Sequence, residues 1–252
     1  MLILNRVTFT GIDKYTNLHD ILELDRRYPT TLELGLLYSA KHSSTRYPSV
    51  DEITTMLKVL MDNQVHASLH IRGSSVYDFL HGEEHTNNLV RLLDSYDYGR
   101  VQLNIPDTTL VSHETIFSAC NMYPAVNFIL QLNQKTQDFC YPLLESLDLS
   151  FLYDASLGSG VVPTEYKAIA HNSFTGYAGG ISPDNVLEIL TKIKQANPLE
   201  TGQHVATWID MESGVRSLSE TGVSLFDLEK CKSVLESIDF TYPKDSSWRY
   251  IL

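Results

Sequence analysis

The stretch FTGYAGGISPDN, residues 174–185, combines the residue types that bind a phosphate group. Gly179 and Gly180 end an apolar run, and a helical pattern follows with Ser182 as its N-cap and Pro183 in its first turn. Backbone N–H groups at a helix N-terminus bind anions, and glycine lets a ligand approach the backbone closely. A tight turn without a ligand would use the same glycines. The spacing favours a phosphate cradle over a turn alone.

Groups suited to proton transfer and to ligand contacts stand at the ends of the other apolar runs. Carboxylates and histidine transfer protons, and the planar guanidinium of arginine binds carboxylates in a bidentate manner. In DMESGV, Ser213 offers a hydroxyl donor beside Gly214. The polar residues at or after the ends of the remaining apolar runs are Thr10, Asp13, Arg46, His70, Arg72, Gln102, Asn104, Gln131, Asn133, Asp154 and Asp210.

Short apolar runs alternate with longer amphipathic stretches along the whole chain, which predicts alternating strands and helices. The predicted strands are 6–11, 31–38, 65–71, 100–105, 125–132, 147–154, 173–180 and 204–211. The predicted helices are 17–27, one opening at Ser49 with Glu52 as its capping-box partner, 86–94, 112–120, 136–147, 163–170, 182–195 and 224–238.

Eight strand–helix units without a linker predict an α/β fold, a single (β/α)8 TIM barrel over residues 1–252. Residues 239–252 are expected to form a C-terminal tail packed on the barrel. An open doubly wound sheet is the alternative, but no GxGxxG follows the first strand. In a barrel the polar residues that follow the strands meet at one face, and phosphate binds in the loops after strands seven and eight. Those loops carry Gly179, Gly180, Ser213 and Gly214.

Composition limits the partners of this protein. The net charge of −12 argues against nucleic-acid binding, and no apolar run reaches the roughly 18 residues of a membrane span. The three cysteines lie far apart without metal-ligand spacing, so we expect neither a metal nor a disulfide framework. The N-terminus reads as a strand and not as a signal peptide. We expect a cytoplasmic monomer or homodimer that takes a small phosphorylated molecule.

Four stretches resemble phosphoribosylanthranilate isomerase. YAGGISPDNV and IDMESGV are similar to the family's two C-terminal motifs, YSAKHSSTRYPS resembles its loop after strand two, and RVQLN resembles its strand four. The match is scattered in the right order over most of the chain, although Asn104-Ile105 replaces the family's His-Gly. The resemblance implies a (β/α)8 enzyme that performs an Amadori rearrangement of phosphoribosylanthranilate without cofactor or metal.

The resemblance also implies roles for residues. Asp154 corresponds to the family's general acid, which opens the sugar ring, and Arg46 to the arginine that binds the anthranilate carboxylate. The phosphate loops correspond to Gly179, Gly180, Ser213 and Gly214. Arg72, which is additional to the family pattern, Gln102 and Asn104 are expected to contact the substrate.

This sequence departs from the family pattern at the general base, because Thr10 in TFTGI occupies the position of the family's cysteine. A threonine hydroxyl does not ionise usefully without a strong partner base. The base must then come from Asp13, His70 or Asp210, and we favour His70 and Asp13.

Simpler structural roles stay open for the same residues. Asp154 would serve as a helix N-cap, His70 as a neutral hydrogen-bonded group inside the barrel, and Arg46 as a solvated loop residue. Arg72 would pair with Asp13 or another acid, and Asp210 would be structural.

Two main functions follow from these observations. The first is a cofactor-independent isomerase of a phosphorylated sugar or phosphoribosyl-amine. The second is a non-catalytic barrel that binds a phosphorylated metabolite or nucleotide as a sensor, sequestering or accessory protein. The missing cysteine favours the second, and the retained Asp154 favours the first. An enzyme that catalyses another type of reaction on the same fold is a third hypothesis.

Overall fold

A computed structural model describes residues 2–42, 44–96, 99–144, 147–154, 156, 160–168, 173–238 and 250–251. Within them, eight strands each pair in parallel with the next, and the eighth pairs with the first, so that the sheet closes. This confirms the predicted (β/α)8 TIM barrel. The strands are β1 (Leu2–Thr10), β2 (Leu32–Tyr38), β3 (His66–Arg72), β4 (Arg100–Asn104), β5 (Asn127–Leu132), β6 (Ser150–Tyr153), β7 (Phe174–Ala178) and β8 (Val205–Met211).

Helices surround the barrel, and local sequence signals explain where several of them begin. Asn17 accepts a hydrogen bond from the His19 amide, and Ser49 with Glu52 forms the predicted capping box. The helices are α1 (Leu18–Arg27), α2 (Val50–Asp62), α3 (Ser74–Leu80), α4 (Glu84–Asp94), α5 (His113–Met122), α6 (Gln137–Cys140), α7 (Val186–Ala196) and α8 (Leu228–Ser237).

Two helix predictions between β5 and β7 were wrong. The helix expected over 136–147 is reduced to α6 and a 3-10 turn at Tyr141–Leu143, because Pro142 within this stretch lacks the amide hydrogen that a longer helix needs. The helix expected over 163–170 is absent from its described part, 163–168. There the Tyr177 hydroxyl donates to the Lys167 carbonyl (2.8 Å), which holds the segment against β7.

The start of α7 and the segment after β3 also differ from prediction. Helix α7 begins at Val186 and not near Ser182. The Asn185 side chain accepts from the Ser182 amide (2.8 Å) and donates to the Gly180 carbonyl (2.9 Å), which holds the preceding residues in a turn. Helix α3 was not predicted from the sequence.

Buried apolar side chains form two clusters. The larger one lies between the strands and the helices. The smaller one comprises Ile129, Leu152, Ala178 and Trp208, from β5 to β8. A Cβ at Gly176 would overlap the Trp208 ring, so a glycine on β7 leaves the space that this indole fills. Removal of such apolar surface from water is the main stabilising contribution to the fold.

Two further strand pairs lie outside the ring of eight parallel strands. Strands β9 (Arg216–Leu218) and β10 (Ser224–Phe226) form an antiparallel pair after β8. Strand β11 (Tyr250–Ile251) pairs antiparallel with Ile3 and Leu4 of β1. The rest of the predicted tail, 239–249 and residue 252, lies outside the described residues. None of the helices in the described ranges has the length and apolar character of a membrane span.

Candidate active site

A cavity of about 300 Å³ opens at the carboxyl ends of the barrel strands. It gathers nine of the twelve predicted site residues, which come from five different strands or their loops. The other three do not line the cavity. Thr10 contacts Asp210 and Arg46 contacts Glu212, both of which line it, and Asp13 lies outside the lining. The nine are His70, Arg72, Gln102, Asn104, Asp154, Gly179, Gly180, Ser213 and Gly214.

Asp210, at the end of β8, is the buried acid of this cavity. Thr10 on the neighbouring β1 donates its hydroxyl to Asp210 Oδ1 at 2.7 Å. Burial raises the pKa of Asp210 to about 7, assisted by the negative charges of Glu212, Glu33 and Asp154, while the bond from Thr10 lowers it. Asp210 therefore changes its protonation state near neutral pH.

His70, the base favoured from the sequence, is buried in a setting that disfavours its charged form. Burial lowers the pKa of His70 to about 3, and the positive charges of Arg100 and Arg72 act in the same direction. Its Nε2 lies 3.0 Å from Ser68 Oγ, and its Nδ1 lies 3.9 Å from Asp210 Oδ2. At neutral pH His70 is a neutral, weakly basic imidazole beside Asp210. The geometry therefore favours Asp210 over His70 as a proton acceptor.

Asp13, the other favoured base, lies outside the cavity lining. Its Oδ2 accepts from Arg216 Nη2 (3.2 Å) and from the Phe226 amide (2.9 Å), and its Oδ1 accepts from the Tyr15 amide (3.1 Å). These contacts tie the loop after β1 to the β9–β10 pair. Of the two pairings predicted for Arg72, the one with another acid is confirmed, because Arg72 pairs with Glu212, whereas Asp13 pairs with Arg216.

Asp154 follows β6 and points into the cavity from the side of β5 and β7. Its Oδ2 accepts from Gln131 Nε2 (2.7 Å), and its Oδ1 accepts from the Ser156 hydroxyl (2.6 Å) and amide (3.0 Å). Gln131 thus orients one oxygen of the carboxylate and Ser156 the other. In the same cavity, Gln102 Nε2 donates to Asn104 Oδ1 (2.6 Å).

Arg46 and Arg72 meet at one carboxylate on the rim. Arg46 Nη1 donates to Glu212 Oε1 (2.7 Å), and Arg72 Nη1 donates to Glu212 Oε2 (3.4 Å) and to the Tyr47 hydroxyl (3.3 Å). All three charged side chains are between a quarter and a third exposed. Arg46 is therefore held at the cavity and is not a freely solvated loop residue.

The predicted phosphate loops converge on one side of the cavity. Gly179 and Gly180 have φ of 107° and 64°, a backbone conformation that glycine adopts without steric cost. A Cβ at Gly180 would lie 2.6 Å from the Val162 nitrogen, and one at Gly214 would overlap the Ile181 carbonyl. These glycines therefore let the loops after β6, β7 and β8 pack closely together. Their role as a phosphate cradle stays a prediction.

Comparisons with known proteins bear on the fold. No family model matches the sequence, and no curated protein matches it. Phosphoribosyl anthranilate isomerase from Thermotoga maritima superposes with a TM-score of 0.53 at 15% identity, covering 92% of this chain and 98% of that one. A structure described as native KDPGal superposes with a TM-score of 0.50 at 12% identity, covering 93% and 94%. At these identities the similarity shows the barrel fold alone. The fold implied by the resemblance is confirmed, and the replacement of a catalytic cysteine by Thr10 stays a prediction.

Two features of the site were not predicted from the sequence. Glu212 was not among the predicted site residues, and its contacts with two arginines could not be read from a linear pattern. Ser156, in the loop after β6, was not singled out either. Among the described residues, the one group of His, Cys, Asp or Glu side chains close enough to share a metal ion lies on exposed surface at the start of α1, away from the cavity: His19, Asp20 and Glu23.

Proposed function

We propose that this protein is an isomerase that binds a phosphorylated sugar or phosphoribosyl-amine at the carboxyl end of its barrel. The observation that carries the proposal is Asp210, a buried carboxyl group in the cavity whose pKa is raised to about 7. A group that titrates near the working pH both accepts and returns a proton efficiently. Asp154 in the same cavity supplies a second carboxyl group for the complementary transfer.

The two carboxyl groups divide the steps of an Amadori-type rearrangement between them. Asp154 protonates the ring oxygen of the glycosylamine as the C1–O bond breaks, which leaves an iminium group at C1. Asp210 then removes the C2 proton to give an enolamine. Asp210 returns its proton to C1 and the C2 hydroxyl proton returns to Asp154, so that a 1-amino-2-ketose results and both acids regain their starting states.

The remaining cavity residues position the substrate. The phosphate lies against the loops that carry Gly179, Gly180, Ser213 and Gly214, where glycine lets the backbone approach a ligand. Gln102 and Asn104 offer amide groups to the sugar hydroxyls.

A non-catalytic binding protein is the second candidate function. The observation that favours it is the hydrogen bonding of Asp154, because Gln131 and Ser156 already donate to both of its oxygens. A substrate ring oxygen would have to compete with these donors for the acid. A binding protein would retain the phosphate loops without using Asp154 as an acid.

Turnover separates the two candidates. Phosphoribosylanthranilate, phosphoribosyl-amines made in situ from other amines, and ribose 5-phosphate would be incubated with the protein in D2O, and NMR would follow deuterium at C1 and C2. Wild type is expected to turn over at least one compound and to introduce solvent deuterium. Asp210→Asn and Asp154→Asn should each lower the rate by about 100-fold or more, because a positioned acid or base contributes that much.

Asp148→Asn is the matched control, because Asp148 is an exposed aspartate outside the cavity lining. It should keep the wild-type rate. Binding of the phosphorylated compounds without turnover or exchange would refute the isomerase and support the binding protein. Full activity of Asp210→Asn would refute the assignment of Asp210 as the base.

A further inference from the structure

Glu212 occupies the position on the cavity rim where two arginines could receive a carboxylate. Its two oxygens are divided between Arg46 (2.7 Å) and Arg72 (3.4 Å). The Tyr47 hydroxyl accepts a further bond from Arg72 at 3.3 Å and fixes that guanidinium at the rim. The two positive charges come from the loop after β2 and from the end of β3, and they meet at one carboxylate.

The chemistry of this arrangement is that of a carboxylate-binding site. The guanidinium group is planar, always charged and suited to carboxylate oxygens, and two such groups around one carboxylate bind it strongly. The carboxylate bound here belongs to the protein itself. A ligand carboxylate that needs the same two arginines must displace Glu212 or share them with it.

The charges of the neighbouring groups make that displacement unfavourable. Glu212 lines the same cavity as Asp154 and Asp210, and its negative charge already raises the pKa of Asp210. A ligand carboxylate at these arginines would add a second negative charge next to Glu212, in a cavity that Asp154 and Asp210 also line. Repulsion between like charges at short range then opposes binding.

We infer that Glu212 is a specificity-determining residue that selects substrates without a carboxylate on the half remote from the phosphate. This inference rests on the proposed function, because it takes the phosphate to bind at the loops after β7 and β8. It gives the substrate class as a phosphorylated sugar or sugar-amine whose second half is uncharged. Phosphoribosylanthranilate, which carries such a carboxylate, would be a poor ligand.

A pair of unreactive ligands tests the inference directly. One is 1-anilino-1-deoxyribitol 5-phosphate, and the other is the same compound with a carboxylate at the ortho position of the ring. Calorimetry would measure both affinities for wild type, Glu212→Gln and the control Glu220→Gln, which changes an exposed glutamate outside the cavity lining. Glutamine keeps the shape of Glu212 and removes its charge.

Wild type and Glu220→Gln are expected to bind the uncharged anilino compound at least as tightly as its carboxylate counterpart. Glu212→Gln should gain about tenfold or more in affinity for the carboxylate compound and change less than about threefold for the other, because a charge-assisted pair becomes available. A wild-type preference for the carboxylate compound that Glu212→Gln leaves unchanged or weakens would overturn the inference alone. Binding of neither compound to any of the three proteins would overturn the proposed function and the inference with it.

Discussion

The hydroxyl of Thr10 lowers the pKa of Asp210, which burial raises, and Thr10→Val tests this directly. Valine has nearly the shape of threonine, so the substitution removes one hydrogen bond of 2.7 Å and little else from a site where Thr10 is 1% exposed. The hydroxyl donates to the ionised carboxylate and so lowers the pKa of Asp210 below the value that burial alone would give. Its loss must therefore raise that pKa.

The size of the effect follows from the strength of the bond. A hydrogen bond to a charged group contributes about 1.5–3 kcal/mol, and 1.36 kcal/mol corresponds to a tenfold change in a protonation equilibrium. The pKa of Asp210, about 7 in the wild type, should accordingly rise by about 1–2 in Thr10→Val. Because the base must be ionised to accept a proton, the rising limb of the pH–rate profile should move to higher pH by the same amount.

Carboxyl 13C NMR across a pH titration measures this pKa, with Asp210→Asn to assign the resonance. Thr8→Val is the matched control, since Thr8 lies on the same strand and donates to the buried Glu33 at 2.9 Å. Glu33, whose pKa is lowered to about 2, stays ionised in that variant, so the pKa of Asp210 should change by less than about 0.3. An unchanged or lower pKa of Asp210 in a folded Thr10→Val protein would refute the reasoning.

Two further predictions concern stability. Because the pKa of Asp210 rises from 3.8 to about 7 on folding, its ionisation destabilises the folded protein as pH rises through that window. The free energy of unfolding of Asp210→Asn relative to wild type should therefore increase by about 2–3 kcal/mol between pH 5 and pH 7 in urea titrations, and a constant difference would contradict the assignment. Gly180→Ala should lower the melting temperature and the phosphate affinity more than Gly222→Ala, because both glycines have positive φ but only the first faces nearby backbone. Equal melting temperatures would show that the contact of Gly180 with the loop after β6 is unimportant.

The barrel could be predicted from the sequence because its signal is local and repeated. Each strand is a short apolar run, and the polar residue that ends it falls at the carboxyl edge whatever the neighbouring strands contain. Nine of the twelve predicted residues consequently line one cavity. The failures lie where a specific side-chain hydrogen bond overrides the helical pattern: Tyr177 donates to the Lys167 carbonyl in the segment predicted as a helix, and Asn185 holds the residues before α7 in a turn.

The identity of the base could not be read from the sequence for a related reason. Histidine suggests a base near neutrality and aspartate a permanently ionised acid, if each keeps its ordinary pKa. Burial reverses the order of the two pKa values here. It lowers the pKa of His70 by opposing its positive charge and raises the pKa of Asp210 by opposing its negative charge. Asp13 looked equally suitable until its partner was known, and that partner, Arg216, lies 203 residues away.

The chemistry of Asp210 depends finally on how the charges inside the barrel are paired. Arg100 on β4 is buried and stacks on the Trp208 ring, with its guanidinium carbon 4.2 Å from the ring centre. Left unpaired, this cation would attract the Asp210 carboxylate and hold its pKa low. Instead, Arg100 donates to both oxygens of Glu33, at 3.0 and 3.2 Å, and Arg6 donates to the same carboxylate at 3.0 Å. The negative charge of Glu33 offsets the cation and itself raises the pKa of Asp210. A strand glutamate that resembles an ordinary structural residue in the sequence thus helps to keep Asp210 protonatable at neutral pH.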